Sequence, residues 1–416
     1  MSELILLTAA AIWLIAGLQA IVYLRKGWVQ LAVQRETNAL QLSLLQERLE
    51  YAAMTRSAEQ DILDHGWSGL RKFKIDRKVP EGGDICSFYF VPHDGKPIPP
   101  FQPGQYLTFS LKVEGKDKPV VRCYSLSDSP LQRDYYRISV KKVSPPGQGS
   151  GHLHDKLTEG DIVDLKAPSG AFFLDTSKHS PIVLIGGGIG ITPVLSMLNS
   201  IVESGSKREV WFFYGVRNSE EHIMAEHLRR LDSEHENIRM HICYSNPDEE
   251  DRQGTDYHHD ERVSVDLFRR LLPSNNYDYY MCGPPPMMSS VVEDLKEWGV
   301  PDSQIHFEAF GPASVKTQKK PKPDHTETAT SAEFEVTFAR TGKTATWTRA
   351  AGSLLELAED NGINLDFGCR AGSCGTCVTA LKSGEISYLD DPSSEPEAGT
   401  CLACIAEPAS ALVVDA

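Results

Sequence analysis

A short cysteine-rich stretch near the end of the chain constrains its fold more than any other feature. Residues 366–377 read DFGCRAGSCGTC, which places Cys369, Cys374 and Cys377 among several glycines. Three thiolates hold a metal centre poorly without a fourth ligand, because structural sites of this kind are closed by four. The stretch therefore predicts a small metal-binding domain, for which Cys401 and Cys404 are the candidate fourth ligands.

The spacing of the three cysteines indicates which metal centre the domain holds. The pattern C-x4-C-x2-C is that of plant-type 2Fe-2S sites. Gly368, Gly372 and Gly375 allow the loop to wrap a small cluster and to direct N–H groups at its sulfur atoms. A zinc site would instead favour two separated C-x2-C pairs. The spacing therefore predicts a 2Fe-2S cluster.

Local context separates the two candidates for the fourth ligand. Residues 402–410, LACIAEPAS, resemble the L-x-C-x-A-x-P strand of plant-type ferredoxins, which carries their last ligand. The resemblance implies Cys404 and leaves Cys401, which stands just before it, as a bystander. The expected metal ligands are then Cys369, Cys374, Cys377 and Cys404.

Cysteine usage and charge limit the compartment and the partners. The chain has nine cysteines, of which five lie in the last fifty residues, and this clustering fits a reducing compartment with a metal site better than a secreted disulfide framework. The formal net charge of -15 argues against nucleic acid as the main partner, because phosphate binding needs a basic surface. Residues 331–416 hold 13 acidic and 5 basic side chains, a net of -8. This surplus predicts docking of a redox acceptor protein through a basic face.

The beginning of the chain is strongly apolar. Residues 4–24 read LILLTAAAIWLIAGLQAIVYL without a charged side chain, and Arg25 and Lys26 follow. About twenty such residues span the core of a bilayer. The positive-inside rule places the following chain in the cytoplasm. We therefore expect a single-pass anchor over residues 1–27 in the inner (cytoplasmic) membrane, with the catalytic domains in the cytoplasm. A cleaved signal peptide and a buried core helix are the alternatives. Residues 28–66 predict a juxtamembrane helix.

Residues 67–176 alternate short β-prone runs with Gly and Pro turns, which predicts an antiparallel β-barrel. Within it, RCYSLSD places Arg122 and Tyr124 on one face of a strand. A guanidinium can pair with a phosphate, a tyrosine ring can pack on an isoalloxazine, and Ser125 can hydrogen-bond the ring edge. The barrel is therefore a candidate flavin domain. Its further candidate cofactor-binding residues are Ser139, Val140, Lys141, Gly149 and Ser150.

Residues 177–312 alternate apolar strands with helices, which predicts a parallel sheet. Here GGGIGITP stands between a strand and a helix, so its glycines can approach a pyrophosphate at the helix N-terminus. Thr192 can cap that helix. CGPPPMM follows another strand and is expected at the ligand-binding edge of the sheet, and Phe310 is expected to cover the flavin. The candidate nicotinamide-site residues are Gly187, Gly188, Gly190, Thr192, Arg217, Cys282, Gly283, Pro284 and Phe310.

These motifs carry a family resemblance. Residues 70–312 are similar to the ferredoxin–NADP reductase superfamily, and especially to the reductase half of flavohaemoglobins, through PGQYLTFSL, RCYSLSD, YRISVKKV, GGGIGITPVLSML and CGPPPMM. The resemblance implies FAD on the barrel, NAD(P)H on the parallel-sheet domain and hydride transfer between them. By this match Arg122, Tyr124 and Ser125 hold the flavin, and Tyr124, Ser125 and Cys282 are the candidate catalytic residues.

The order of the parts resembles the phthalate dioxygenase reductase family. A polar linker over residues 313–331 precedes a C-terminal 2Fe-2S domain over 332–416, which resembles ferredoxins and is expected to adopt their α+β (β-grasp) fold. We therefore expect a membrane-anchored, multidomain NAD(P)H-dependent reductase. It would pass electrons through FAD and the cluster, one at a time, to an oxygenase, a desaturase or a haem protein.

Several alternatives stay open at this point. The chain could instead be the electron-input subunit of a quinone-linked membrane complex, or a redox-sensing module. Members of the phthalate dioxygenase reductase family can use FMN instead of FAD. Arg217 could meet the 2′-phosphate of NADPH, whereas Glu220 or Glu221 could favour the free ribose hydroxyl of NADH.

Overall fold

The computed structural model describes the chain in two compact units, Met1–Leu63 and Asp64–Ala416. The described residues are 2–116, 119–143, 149–310, 333–363, 365–368, 372, 375–389, 392 and 396–416. The predicted linker at 313–331 lies outside these residues.

The first unit is helical. Helix α1 runs without a break from Ser2 to His65, so the two predicted N-terminal segments are one element. Its described apolar side chains are exposed, Trp13 at 78% and Leu14 at 66%. Among the residues whose placement is described, no helix combines the length and apolarity needed to cross a membrane. The predicted anchor at residues 4–24 is thus not supported by the described part of the helix.

The flavin domain is an antiparallel sheet, as predicted. Its strands are β1 (Arg71–Gly82), β2 (Ile85–Pro92), β3 (Tyr106–Leu111), β4 (Val120–Ser125), β5 (Tyr136–Lys141) and β6 (Ile162–Leu165), with the short helix α2 (Ser150–Asp155) before β6. The strand order is β4-β3-β6-β1-β2-β5, and a bridge between Leu126 and Ile138 joins its two ends. The sheet therefore curls into a barrel around buried aromatic side chains such as Phe88 and Phe109.

The next domain is the predicted parallel sheet. It contains β7 (Ile182–Gly187), α3 (Ile191–Glu203), β8 (Val210–Val216), α4 (Ala225–Glu234), β9 (Ile238–Tyr244), α5 (Val265–Leu271), β10 (Asp278–Gly283), α6 (Pro285–Glu297) and β11 (Ile305–Ala309). The strand order is β11-β10-β7-β8-β9. The chain first adds β8 and β9 on one side of β7 and then β10 and β11 on its other side, so the strand order reverses between β7 and β10 although these two strands are parallel. Ligands of open α/β sheets bind at the carboxyl ends of the strands beside such a reversal.

The C-terminal domain is a compact α+β fold. It contains β12 (Phe334–Phe338), β13 (Lys343–Trp347), α7 (Leu354–Asp360), β14 (Val378–Ser383), β15 (Ile386–Tyr388), β16 (Thr400–Leu402), β17 (Ala406–Pro408) and β18 (Leu412–Val414). The larger sheet has the order β13-β12-β18-β14-β16, and β15 pairs with β17. Helix α7 begins with a capping box in which Ser353 and Glu356 satisfy each other's backbone N–H groups.

Candidate active site

The predicted flavin-binding residues converge at the end of the barrel. Arg122 and Tyr124 alternate along β4, and both side chains reach Gly149 at the start of α2. A Cβ atom at position 149 would lie 2.6 Å from Arg122 Cγ and 2.9 Å from Tyr124 Oη, so only glycine fits there. The Tyr124 ring packs edge-on against Phe109 at 5.3 Å, and burial raises the pKa of its hydroxyl well above the ordinary value. A cation, a neutral phenol and the backbone of Gly149 fit the phosphate and ring of a flavin nucleotide.

The other predicted flavin residues have different surroundings. The Ser139 hydroxyl bonds to Ser87 Oγ at 2.8 Å and to Ser127 Oγ at 3.1 Å inside the barrel, so its side chain does not reach Tyr124. The Val140 carbonyl pairs with His154 Nε2 at 2.8 Å. Ser150 opens α2 and its hydroxyl accepts from the backbone N–H of Val143 at 3.4 Å.

The glycine-rich turn is packed against the CGP segment. A Cβ atom at Gly190 would lie 2.6 Å from Gly283 N, and one at Gly187 would lie 2.7 Å from Pro284 Cδ. Gly188 has a φ of +52°, a conformation that favours glycine. The two predicted segments therefore form one wall. The predicted capping role of Thr192 is wrong. A 3-10 turn makes Gly190 the cap residue of α3, and the Thr192 hydroxyl donates to the Ile189 carbonyl at 3.1 Å.

A cleft of about 840 Å³ opens at the carboxyl edge of the sheet. Seven of the predicted nicotinamide-site residues line it: Gly187, Gly188, Gly190, Arg217, Gly283, Pro284 and Phe310. Lys141 of the flavin barrel lines it as well, and so does Glu221, one of the two carboxylates expected near the ribose. Arg262 also lines the cleft, although the sequence did not single it out. Because the N-terminus of α3 borders the cleft and favours anions, the cleft fits a dinucleotide.

Ser125 and Cys282 are linked through Glu308, a residue missed from the sequence. The Ser125 hydroxyl donates to Glu308 Oε2 at 3.3 Å, and Glu308 lies beside Cys282 on the neighbouring strand. Cys282 is completely buried. Burial raises the pKa of its thiol well above the ordinary value, and Glu308 adds to the shift, so the thiol stays protonated. The sequence signal was a lone carboxylate within the strand IHFEA.

An ion pair joins the two domains across the cleft. Lys141 Nζ lies 3.0 Å from Glu221 Oε1, and Arg217 lies 3.4 Å from the same oxygen. Burial works to raise the pKa of Glu221, but Lys141 and then Arg217 outweigh it and hold the pKa below the ordinary value. The Arg217 side chain remains 71% exposed. Glu221 is therefore an ionised carboxylate at the mouth of the cleft.

Two of the four predicted cluster ligands are described, and they lie together. Cys377 Sγ is 3.1 Å from Cys404 Sγ, and both residues are buried. Cys369 and Cys374 lie outside the described residues. Within the part of the chain that the structure describes, no group of three or more metal-binding side chains is found. Two buried thiols at this distance fit ligands of one metal atom.

Cys401 differs from this pair. It belongs to β16, opposite Thr379 of β14, and it is completely buried in the core of the domain. Burial raises the pKa of its thiol to about 12, and Cys377 adds to the shift. Cys404, which contacts Cys377, therefore remains the better candidate for the fourth ligand.

Comparisons with known proteins agree with this geometry. Three family models match the chain: an oxidoreductase FAD-binding domain over residues 73–174, an oxidoreductase NAD-binding domain over 184–293 and a 2Fe-2S iron-sulfur cluster binding domain over 338–409. These matches show FAD, NAD(H) and a 2Fe-2S cluster as the cofactors.

Relatives resemble different portions of the chain. A flavohemoprotein of Bacillus cereus is 41% identical over 253 residues, which are 60% of this chain. The chain spans 63% of that relative's length. The flavohem-like FAD/NAD binding domain of a nitric oxide dioxygenase from Vibrio cholerae O1 biovar El Tor is 33% identical, with a TM-score of 0.52, over 58% of this chain and 99% of that one.

A solved phthalate dioxygenase reductase matches all three domains. It is 30% identical with a TM-score of 0.55, and the match covers 84% of this chain and 98% of that one. Its description is a modular structure for electron transfer from pyridine nucleotides to [2Fe-2S]. With its flavin, nicotinamide and 2Fe-2S domains in that same order, the chain belongs to the phthalate dioxygenase reductase family of oxidoreductases.

Proposed function

We propose that this protein oxidises NADH and delivers the electrons singly to an acceptor protein. The observation that carries the proposal is the contact between Ser125 of the flavin barrel and Glu308 of the nicotinamide domain, because it brings the two cofactor sites together. When bound, the flavin accepts two electrons from the nicotinamide and releases them singly to the 2Fe-2S cluster. In the balance, one NADH and two one-electron acceptors give NAD⁺, two reduced acceptors and one proton.

The side chains supply positioning and electrostatics. Arg122 and Tyr124 hold the flavin against Gly149, and the glycine-rich turn with α3 receives the pyrophosphate. Glu308 holds the Ser125 hydroxyl at the junction of the two domains. The buried thiol of Cys282 stays neutral, so it adds no charge to this junction.

The core of this proposal is tested by absorbance spectroscopy on the purified protein. Flavin and 2Fe-2S bands should both be present and should both bleach when NADH is added without oxygen. A preparation that contains zinc in place of iron, or a flavin that neither NADH nor NADPH reduces, would contradict the proposal.

The ion-paired carboxylate of Glu221 supports NADH as the donor. It would repel a 2′-phosphate, and it also engages Arg217, the side chain that could bind one. Replacing Glu221 by Gln removes the repulsion and frees both Lys141 and Arg217. We therefore expect E221Q to raise kcat/KM for NADPH about tenfold while changing that for NADH much less. Equal preference for the two nucleotides in the unaltered protein would rule out this role.

An oxygenase or another redox protein is the proposed acceptor. The acidic surplus of residues 331–416 supports a partner with a basic docking face. Reduction of the partner should therefore slow as salt is added, because salt screens such steering. Co-purification of a fixed set of subunits in detergent would point instead to a membrane redox complex.

We also propose a membrane tether at residues 4–24 with the catalytic domains in the cytoplasm. Its support is the charge-free sequence of this segment and the exposure of described apolar side chains such as Leu14, Leu18 and Ile21. Alkaline washing of membranes should leave the full chain in the pellet. It should release a chain that begins at Asp64, where the second unit begins. Release of both chains would refute the tether.

A further inference from the structure

A largely buried polar cluster fastens the nucleotide-binding helix to the flavin barrel. Its barrel side consists of Asp128, just after β4, with Tyr135 and Arg137. Its helix side consists of Ser196 and Asn199 in the middle of α3. These five residues are called the Asp128 joint. The mechanism described above uses none of them.

Asp128 receives contacts from both sides of the joint. Its carboxylate accepts from the Tyr135 hydroxyl at 3.0 Å and pairs with Arg137 at 3.4 Å within the barrel. From α3, the Asn199 amide donates to Oδ1 at 3.4 Å, and the Ser196 hydroxyl donates to the Asp128 carbonyl at 2.6 Å. Ser196 is fully buried and Asn199 is 4% exposed, so water competes little for these bonds.

A histidine fixes the orientation of the Asn199 amide. Arg230 NH2 lies 3.1 Å from His227 Nδ1, and His227 Nε2 lies 2.7 Å from Asn199 Oδ1. Because arginine can only donate, Nδ1 accepts and Nε2 carries the proton to Asn199. The Asn199 oxygen is thereby occupied, and its NH₂ group is the one that faces Asp128. The chain of donors runs from α4 through α3 to the barrel.

The joint connects the two elements that carry the cofactor sites. Asp128 follows Ser125 closely on the barrel, and α3 begins at Ile191, directly after the glycine-rich turn. Because α3 is one rigid helix, a shift of Ser196 and Asn199 relative to Asp128 moves the turn relative to β4. A misplacement of about 1 Å between reacting groups can lower a rate by about 10²-fold.

We propose that Ser196 and Asn199 are positioning residues, which hold the nicotinamide at the correct distance from the flavin by clamping α3 to Asp128. The inference rests on the proposed function. It extends that function from the residues that touch the cofactors to a contact that aligns one domain on the other.

The test compares Asn199→Leu with Asn237→Leu. The side-chain amide of Asn237 also donates two partly buried hydrogen bonds within the nicotinamide domain, to the Arg208 carbonyl at 2.8 Å and to the Ser206 carbonyl at 3.4 Å. Neither bond reaches the barrel, so N237L is the matched control for lost stability. Both variants and the unaltered protein are loaded with FAD and mixed with NADH without oxygen. The rate of flavin reduction is measured at saturating NADH. The measurement is repeated with NADH that carries deuterium in place of the transferred hydride, which gives the isotope effect on this rate.

We expect N199L to reduce the flavin at least about tenfold more slowly, with a larger isotope effect and an unchanged KM and FAD content. In N199L, the long-wavelength absorbance that arises when nicotinamide stacks on flavin should weaken. In the cofactor-free variant, the backbone amides of residues 126–129 and 191–203 should exchange faster with deuterium. N237L should match the unaltered protein in the rate, the absorbance and the exchange of residues 126–129.

The milder Ser196→Ala keeps the test decisive if N199L fails to fold, and we expect the same changes at smaller size. Unaltered rate, absorbance and exchange in the folded variants would overturn the inference, as would equal losses in N199L and N237L. A failure of the proposed function looks different, because the unaltered protein itself would then not be reduced by NADH.

Discussion

At the scale of single residues, the two cysteines Cys401 and Cys404 separate by environment. Cys404 lies against Cys377 at 3.1 Å, whereas Cys401 is a core thiol whose pKa burial raises to about 12. We expect Cys404→Ala to abolish the 2Fe-2S absorbance. A loaded site holds about two iron atoms per chain, and the variant should retain far less iron than that. Cys401→Ala should keep both. Iron analysis and the visible spectrum check this, and the reverse pattern would make Cys401 the ligand.

A second prediction at this scale concerns His222. Burial lowers the pKa of His222 to about 4, and Arg229 adds to the shift. The unfolded chain takes up the proton near pH 6.5, so the stability that the neutral imidazole contributes is present above that pH and is lost as the pH falls towards 4. The free energy of unfolding should drop by about 1.4 kcal/mol per pH unit in this window.

His222→Gln isolates this effect from the many other acid-sensitive groups. Thermal unfolding of the unaltered protein and of H222Q is followed between pH 8 and pH 4. The gap between the two unfolding midpoints should shrink steadily below pH 6.5. A gap that stays constant over this range would contradict a neutral His222 in the folded protein.

The structure brings predicted residues together where their sequence signal was local. Arg122, Tyr124 and Gly149 are drawn together by a strand and a nearby turn, and each belongs to a motif with its own composition. Glu308 was missed because its contact with Ser125 joins positions 183 residues apart. Such a contact depends on the docking of two domains, which no local pattern records.

At the scale of elements, the glycine-rich turn shows both what sequence predicts and where it fails. Strand, turn and helix were predicted in the right order because apolar runs and glycines mark them clearly. The capping of α3 by Thr192 was not realised, because the turn winds into a 3-10 segment that makes Gly190 the cap residue. Packing of the turn against the CGP segment controls this detail, and that partner lies on another strand.

This packing leads to a prediction for Gly190→Ala. The added methyl would meet the backbone of Cys282 and lie 2.6 Å from Gly283 N, so the glycine-rich turn and the CGP segment must move apart. We expect the variant to lose most of its binding of NADH, measured by calorimetry, while chemical reduction of its flavin is unchanged. Gly205→Ala, at the other end of α3, is the control for an added methyl group, because nothing lies within 4 Å of the atom added there. Equal losses in both variants would mean that the contact with the CGP segment is not responsible.

At the scale of the whole molecule, the flavin, nicotinamide and 2Fe-2S domains follow one another in that order along the chain. That order was evident from the sequence, because each domain has its own motif. The fit between domains was not, because the Lys141–Glu221 pair and the Asp128 joint form only when two separately patterned domains meet. By the proposal above, the fit between these two domains sets how fast the nicotinamide reduces the flavin.

If the flavin and the 2Fe-2S cluster act in series, a final prediction concerns which acceptors the protein can reduce. If electrons leave only through the cluster, the C404A variant should stop reducing one-electron protein acceptors such as cytochrome c, because the flavin then has no outlet to them. It should still reduce dichlorophenolindophenol with NADH, because this two-electron dye can take both electrons from the flavin directly. C401A should retain both activities. Steady-state rates with the two acceptors decide the matter: undiminished cytochrome c reduction by C404A would place the exit at the flavin and leave the 2Fe-2S domain outside the path.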